Sequence, residues 1–295
     1  MVNKFIIDGL QYRINSDGSS VTVTAGEKDL RGELILSPFV QFEGESHKVK
    51  KLRESAFEDC VGLTSVKIPD TVTEIDRLAF AGCRGLSTVK IPATLTEIRS
   101  WAFARCSGLT SIVVDSENAF YDSRDNCNAI IETATNTLIA GCMNTVIPDT
   151  VTEIANKAFC DCNVTSVRIP ESVTEISNMA FIGCGGLVSI IVESGNPRYD
   201  SRHNCNAIIE TATNTLIAGC MSTVIPDSVT RIDDFAFCGH CGLTSIVIPD
   251  SVEEIGGWAF AGCEELKSVV MPHSISISIC AFNGTPWEME RWREK

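Results

Sequence analysis

The sequence predicts a β-rich solenoid, and three observations predict it. The first is an aromatic repeat. Phenylalanines at Phe57, Phe80, Phe103, Phe159, Phe181, Phe237, Phe260 and Phe282, each preceded by alanine, follow one another at steps of 23, 23, 56, 22, 56, 23 and 22 residues. The second is that the surrounding text recurs in register: Ile68-Pro69, Val72, Ile75, Phe80, Cys83, Leu86 and Val89 return as Ile91-Pro92, Leu95, Ile98, Phe103, Cys106, Leu109 and Ile112. The third is a larger period of 78 residues that contains one 34-residue coil and two of 22. Periods of this length belong to stacked architectures, in which a unit buries its apolar face only against its neighbours.

Residues 1–46 stand outside the repeat and read as an N-terminal β capping segment. Phe5-Ile6-Ile7, Tyr12-Arg13-Ile14 and Val21-Thr22-Val23-Thr24 are expected strands, with turns at Asp8-Gly9 and Asp17-Gly18, and Leu34 to Pro38 is an incomplete Ile-Pro strand end. Such a cap covers the apolar end and open strand edge that a first coil would otherwise show to water.

Coils occupy 47–284, with regular examples from His47 to Pro69, Asp70 to Pro92 and Ala93 to Val114. In Leu63-Thr64-Ser65-Val66-Lys67-Ile68 the alternation points Val66 and Ile68 inward and Ser65 and Lys67 outward. Proline after the isoleucine cannot donate to a ladder and ends the strand. The stretch Asp76 to Ala81 is expected as one helical or 3₁₀ turn that carries Phe80 inward, and Gly82 and Gly85 permit the bends around Cys83.

Two coils, 115–148 and 193–226, are longer. Tyr121-Asp122-Ser123-Arg124, Asn126 to Thr133 and Leu138 to Cys142 return as Tyr199 to Arg202, Asn204 to Thr211 and Leu216 to Cys220, and each set reads as a hairpin around Thr-Ala-Thr-Asn-Thr. A turn centred on Ala134-Thr135 sets Cys127 opposite Cys142, and Cys205 opposite Cys220, so a bridge is geometrically open although free thiols are the simpler state. Residues 285–295 close the chain. Thr285-Pro286-Trp287-Glu288 is a helix start, and a short helix to Arg293 is expected to lay Trp287, with Trp292, over the last coil.

Composition excludes several functions. A net charge of −14 opposes nucleic acid, whose binding depends on cations at phosphates, and opposes an anionic membrane surface. No apolar run reaches the roughly 20 residues that span a bilayer, and no membrane insertion is expected. Met1 to Asp8 does not read as a signal peptide, which leaves either a cytoplasmic protein or one whose signal has been removed. Of the 14 cysteines, Cys60, Cys83, Cys106, Cys162, Cys184 and Cys263 lie three residues after a repeat phenylalanine, where they stack on one another as small buried hydrophobes.

The unit Ile-Pro-x-x-Val-Thr-x-Ile followed by Ala-Phe-x-x-Cys-x-x-Leu-Thr-Ser-Ile-x-Ile-Pro resembles the BspA-like leucine-rich repeat over about 47–284, and the leading segment resembles that family's usual start. The resemblance implies a leucine-rich-repeat solenoid on a surface or secreted protein, and adhesion to a host or matrix protein such as fibronectin or fibrinogen. His240 in place of a ladder cysteine and the short turn at Asn163 depart from the pattern.

Catalytic motifs are weak. Cys238-Gly239-His240-Cys241 has the letters of a redox motif, but the six-residue step from Phe237 to Leu243 makes His240 a replacement for the ladder cysteine. His47, His203, His240 and His273 are scattered, no phosphate loop or nucleophile elbow appears, and neither enzyme activity nor a cofactor or metal is expected. The column Glu74, Glu97, Glu153, Glu175 and Glu254 reads as a solvated row neutralised by Lys67, Lys90 and Arg168, with Ca²⁺ between stacked members as the sharper alternative. Asn163-Val164-Thr165 and Asn283-Gly284-Thr285 match the glycosylation pattern.

Function is therefore expected on outward strand positions. The row Ser65, Thr88, Ser111, Ser166, Ser189, Ser245 and Ser268 is small and polar, and the row Lys67, Lys90, Val113, Arg168, Ile191, Val247 and Val270 runs from basic to apolar. That second row is the expected partner-binding surface, and roughly ten coils at about 4.8 Å offer a face of order 50 Å. The expected protein is a monomer with a protein partner at the cell surface. A glycan-binding module using Tyr121 and Tyr199, and a spacer without a ligand, are the other classes.

Overall fold

In the computed structural model, which describes residues 4–26 and 29–293, the chain divides into two compact units, Met1–Thr145 and Val146–Lys295. Both are built from the same rung. A rung closes on itself through a short outward strand, the Ile-Pro corner, a two-residue strand centred on Glu-Ile, and the Ala-Phe turn. The two strands and the Ala-Phe turn hydrogen-bond to their copies in the neighbouring rung.

The first unit carries two sheets. One is seven-stranded and starts with antiparallel Lys4–Ile7, Leu10–Ile14 and Ser20–Ala25, then continues in parallel through Glu45–Leu52, Glu74–Ile75 and Glu97–Ile98, with Phe39–Phe42 folded back on Glu45–Leu52. The other is parallel and orders Arg31–Ile35, Gly62–Lys67, Thr88–Ile91 and Ser111–Val114. The leading segment therefore supplies the first strand of both ladders.

In the second unit Ser166–Ile169 pairs with Ser189–Val192, and Ser245–Val247 with Ser268–Val270, all in parallel. A six-stranded sheet runs from Tyr199–Asp200 through Ile208–Glu210, Thr215–Ala218, Arg231–Ile232 and Glu254–Ile255 to Ser276–Ile277. The helix Pro286–Arg293 starts where the Thr-Pro-Trp-Glu signal sets it: the Thr285 hydroxyl accepts the Glu288 N–H at 3.1 Å, and Trp287 packs on Phe282 with ring centroids 4.6 Å apart. The Trp292 side chain lies outside the described part of the structure.

The interior is ordered by the phenylalanines. Phe57, Phe80 and Phe103 stack at 5.1 and 5.5 Å, Phe159 and Phe181 at 5.2 Å, and Phe237, Phe260 and Phe282 at 4.8 and 4.9 Å. Each ring is positioned by the backbone beside it, as where the Phe80 N–H donates to the Ala102 carbonyl at 2.8 Å. The turn that delivers the ring is not helical. Asp76 to Ala81 is a run of tight turns with Leu78 at φ 58°, and Ser55, Trp101, Phe235, Trp258 and Cys280 repeat that left-handed conformation at the same place. The strain of a bulky residue there is offset by the ladder it completes. The 3₁₀ turns that do form, Arg124–Asn126 and Arg202–Asn204, belong to the two long coils.

Those coils hold together through side chains that stand in for missing strand partners. Buried Asn118 donates through Nδ2 to the carbonyls of Pro92 (2.7 Å) and Leu95 (3.0 Å), and its Oδ1 accepts the N–H groups of Phe120 and Tyr121, each at 2.9 Å. The Tyr121 hydroxyl accepts the Ile98 N–H at 2.8 Å and the Ser123 hydroxyl accepts the Val114 N–H at 3.0 Å. Asn196, Tyr199 and Ser201 repeat the whole set on Pro170, Val173, Ile176 and Val192. Asn118→Ala orphans two buried carbonyls and two amides, so it is expected to cost about 3 kcal/mol, against about 1 kcal/mol for Tyr121→Phe, read as a lower urea midpoint.

Candidate functional site

The outward strand row is assembled in register. Lys67 pairs with Lys90 and Lys90 with Val113 in the first unit, and Arg168 pairs with Ile191 and Val247 with Val270 in the second. All seven side chains are exposed, and the small polar row of Ser65, Thr88, Ser111, Ser166, Ser189, Ser245 and Ser268 runs beside them. Alternation along each strand sends the intervening residues, such as Val66, Val89, Ile112 and Ile246, into the core.

The row has more members than sequence patterning found. Ile35, opposite Lys67 in the ladder, is exposed, so the row does not begin with a cation. Val146 and Val224 precede the Ile-Pro corner just as Lys67 does, and both are exposed. The alignment of Thr-Val-Ile-Pro with Val-Lys-Ile-Pro was the available signal, hidden by the inserted hairpins. In the second unit the outward apolar positions Ile191, Val224, Val247 and Val270 are 57, 72, 63 and 58% exposed. Val224 also borders a shallow cleft shared with His203, Cys205, Ile225, Pro226 and Ser228.

The basic members are neutralised at home. Lys67 meets Glu33 at 3.1 Å, Lys90 meets Asp115 at 3.2 Å, and Arg168 bridges Asp149 and Glu193. Solvent-exposed pairs of this kind add little stability, but they leave little unmatched positive charge on the row. The glutamate column has other cations. Glu74 and Glu97 do stack, with Lys51 2.6 Å from Glu74 and Arg99 3.2 and 3.0 Å from Glu74 and Glu97, while Arg198 serves Glu175 and Arg231 serves Glu254. Lys67, Lys90 and Arg168 therefore stand on the outward strand row as expected but do not neutralise the glutamate column. Among the described residues, no group of three or more His, Cys, Asp or Glu side chains is arranged to hold a metal ion.

Tyr121 and Tyr199, the expected glycan contacts, are buried and used by the hydrogen bonds above, so they cannot stack on a sugar. The cysteine pairs of the hairpins are free thiols. Glu132 does face Thr137, which centres the turn on Ala134-Thr135, but an extra residue at Ile139 moves Ile130 opposite Ala140 and breaks the register that would join Cys127 to Cys142. The second hairpin repeats this bulge.

The ladder thiols have a specific role. Cys83, Cys106, Cys184 and Cys263 each donate to the carbonyl of the repeat phenylalanine one coil back, at 3.1, 3.2, 3.0 and 3.1 Å. Burial pushes the Cys263 thiol up to about 12 and that of Cys238 up to about 11. Within the Cys238-Gly239-His240-Cys241 stretch burial also raises Cys241, the reverse of the activation that thiol–disulfide chemistry uses. His240 sits in the ladder position, edge-on to Phe237 at 6.3 Å, buried, with no hydrogen-bond partner on either ring nitrogen. Loss of water around the ring pushes its pKa down to about 4.

The rung and its repeats match the model of the BspA type leucine rich repeat region, in six copies, over residues 41–136, 139–210 and 217–286. The chain belongs to this family. Among solved structures it is similar to a leucine-rich cell surface protein of Faecalibacterium prausnitzii, at 28% identity and TM-score 0.54 over 95% of this chain and 81% of that one. A leucine-rich repeat protein of Bacteroides ovatus is 24% identical with TM-score 0.46, covering 95% of this chain and 69% of that one. The pneumococcal vaccine antigen PcpA is 17% identical with TM-score 0.49, covering 92% and 71%. No curated protein gives a significant match. The BspA-type chain is thus a strand-rich leucine-rich-repeat solenoid, and no described helix is long and apolar enough to cross a membrane.

Two measurements check these assignments. In denaturant all 14 cysteines are expected to react with a thiol reagent, whereas in the native protein exposed Cys241 reacts first and the buried ladder thiols do not; four missing thiols would mark bridged hairpins. A neutral histidine held at about 4 when folded and near 6.5 when unfolded contributes full stability above pH 6.5, and that contribution falls as pH drops from about 6.5 to 4. The loss reaches about 3 kcal/mol. His240→Cys, which restores the ladder residue, is expected to remove that slope from the denaturation midpoint measured across pH 4–7.

Proposed function

We propose that this BspA-type chain is a non-enzymatic protein-binding module of the cell surface or a secreted protein, and that it adheres to a host or matrix protein through the outward strand positions of its coils. The observation that carries this reading is the exposed apolar row Ile191, Val224, Val247 and Val270 in the second unit. Alternating residues of the same strands are spent on the core, so the outward set has no packing task. A surface that presents such exposed apolar residues on successive coils, Val247 and Val270 among them in register, has the character of an interface centre, while Arg168 and the serine row supply a polar rim. Kinship adds support: the similar Faecalibacterium protein is a cell surface protein. The neutralised Lys67 and Lys90 take a smaller part than their charge alone suggests, and Val113 extends the apolar character in the first unit.

A glycan reading loses the two tyrosines on which it rested, and a bare spacer leaves the apolar row without a purpose. Immobilised fibronectin and fibrinogen are the first partners to try. Val247→Asp with Val270→Asp is expected to leave the urea midpoint unchanged and to weaken binding to whichever protein is captured by at least about tenfold. Undiminished binding by the double variant removes this surface from consideration.

A further inference from the structure

The two units differ at one place in a way that points to a ligand. The residue two before the repeat phenylalanine has positive φ in seven of the eight coils, and in three of those it is aromatic: half-buried Trp101 and Phe235, and exposed Trp258. In the first unit the chain covers its own ring. Arg77, from the coil just before that of Trp101, sets its guanidinium 4.7 Å from the Trp101 ring centroid, with Glu54 at 3.8 Å as counter-ion. This is an ordinary cation–π contact, made within the chain.

In the second unit the ring remains and the cation is gone. Trp258 is 45% exposed and stacks parallel to Phe235 at 5.8 Å with an interplanar angle of 2°. The position equivalent to Arg77, three residues before the repeat phenylalanine of the preceding coil, is Asp234. Its Oδ1 accepts the Gly257 N–H at 2.7 Å, which fixes the carboxylate next to the backbone of Trp258 and leaves Oδ2 without a partner among the described residues. No described cationic side chain lies over either ring. The nearby charges are also unbalanced. Arg231 is shared by Asp233 (3.5 Å), Asp234 (3.7 Å) and Glu254, one guanidinium to three carboxylates. The corresponding cluster of the first unit, Glu74, Asp76 and Glu97, has Lys51 as well as Arg99.

We infer that the Phe235–Trp258 pair, with Asp234 beside it, is a second interaction surface that takes an arginine side chain of a protein partner. The chain's own Arg77–Trp101–Glu54 arrangement shows an arginine held on a tryptophan of this turn, whereas Trp258 carries Phe235 on the side toward the preceding coil, so a partner meets the exposed part of the stacked pair beside Asp234. The incoming guanidinium gains an aromatic face and a fixed carboxylate, and it relieves the excess negative charge around Arg231. This surface lies on the turn beyond the Glu-Ile strands, not on the outward strand row, and it stands whether or not that row binds.

A fluorescent Gly-Arg-Gly-Arg-Gly peptide and the same peptide with citrulline for arginine test the inference by anisotropy on the full chain. The arginine peptide is expected to bind at least about tenfold tighter than the citrulline one, and Trp258→Ala to weaken it about three- to tenfold. Asp234→Asn, which keeps the bond to Gly257, is expected to weaken it similarly. Asp234→Arg sets a cation in place of the carboxylate beside the ring and is expected to abolish binding, whereas Val247→Asp with Val270→Asp leaves it unchanged. Equal binding of both peptides, or wild-type affinity in Trp258→Ala or Asp234→Arg, overturns the inference and marks mere attraction to an acidic protein. So does binding of chitotriose that Trp258→Ala removes in the absence of any arginine preference, since the ring would then be a sugar platform.

Discussion

Everything in this molecule depends on the contact between one rung and the next. A single coil has too little apolar surface to hold itself together, and its phenylalanine, leucine and isoleucine are buried only because a near copy lies about 4.8 Å away. The phenylalanine columns, with centroids 4.8–5.5 Å apart, are the visible form of that constraint. Once the ring position is set, the rest of the coil has few options. The residue two before it turns left-handed in seven of the eight coils, the residue three later is buried and, His240 aside, small, and the strand that follows alternates. The cysteine at that small position does more than fill space, because its thiol satisfies a second hydrogen bond on a carbonyl one rung back.

The same constraint explains which parts of the structure could be read from the sequence. Inward positions announce themselves, since Phe80, Cys83, Leu86 and Val89 recur at fixed intervals and tolerate little else. The cap strands and the helix at Pro286 were equally legible, because Asp8-Gly9 and Thr285-Pro286 carry local chemistry that needs no tertiary context. Less could be read where side chains replaced backbone. Nothing in the spacing of Tyr121 or Asn118 shows that the first hides its ring to offer a hydroxyl to Ile98, or that the second joins four backbone groups. A bulge of one residue likewise defeated the pairing of Cys127 with Cys142, for hairpin register shifts by side as well as by distance.

Surface chemistry was the least legible level. Lys67, Lys90 and Arg168 read as a basic stripe, yet each finds a carboxylate that lies far away in sequence or on another strand. Val224 was hidden by the hairpin that precedes it, and Trp258 stands apart only when its neighbour Asp234 is set against Arg77. Repeats make such contrasts possible. When a dozen positions are held constant by packing, the few that differ between equivalent coils are free of that demand, and their differences report on something outside the fold.

The side-chain clamp of the long coils bears on how a protein of this kind can change length. Asn118 grips Pro92 and Leu95 of the coil before it, and Asn196, 78 residues later, grips Pro170 and Val173 in the same manner. A stretch of gene running from one asparagine to the next encodes both a clamp and the carbonyls that another clamp requires. Copying or deleting that cassette whole keeps a partner for each backbone group that the asparagines serve, whereas a cut elsewhere strands some of them. Growth and shrinkage by unequal crossing-over therefore have a natural quantum here, written by hydrogen bonds and not by the boundaries of the coil.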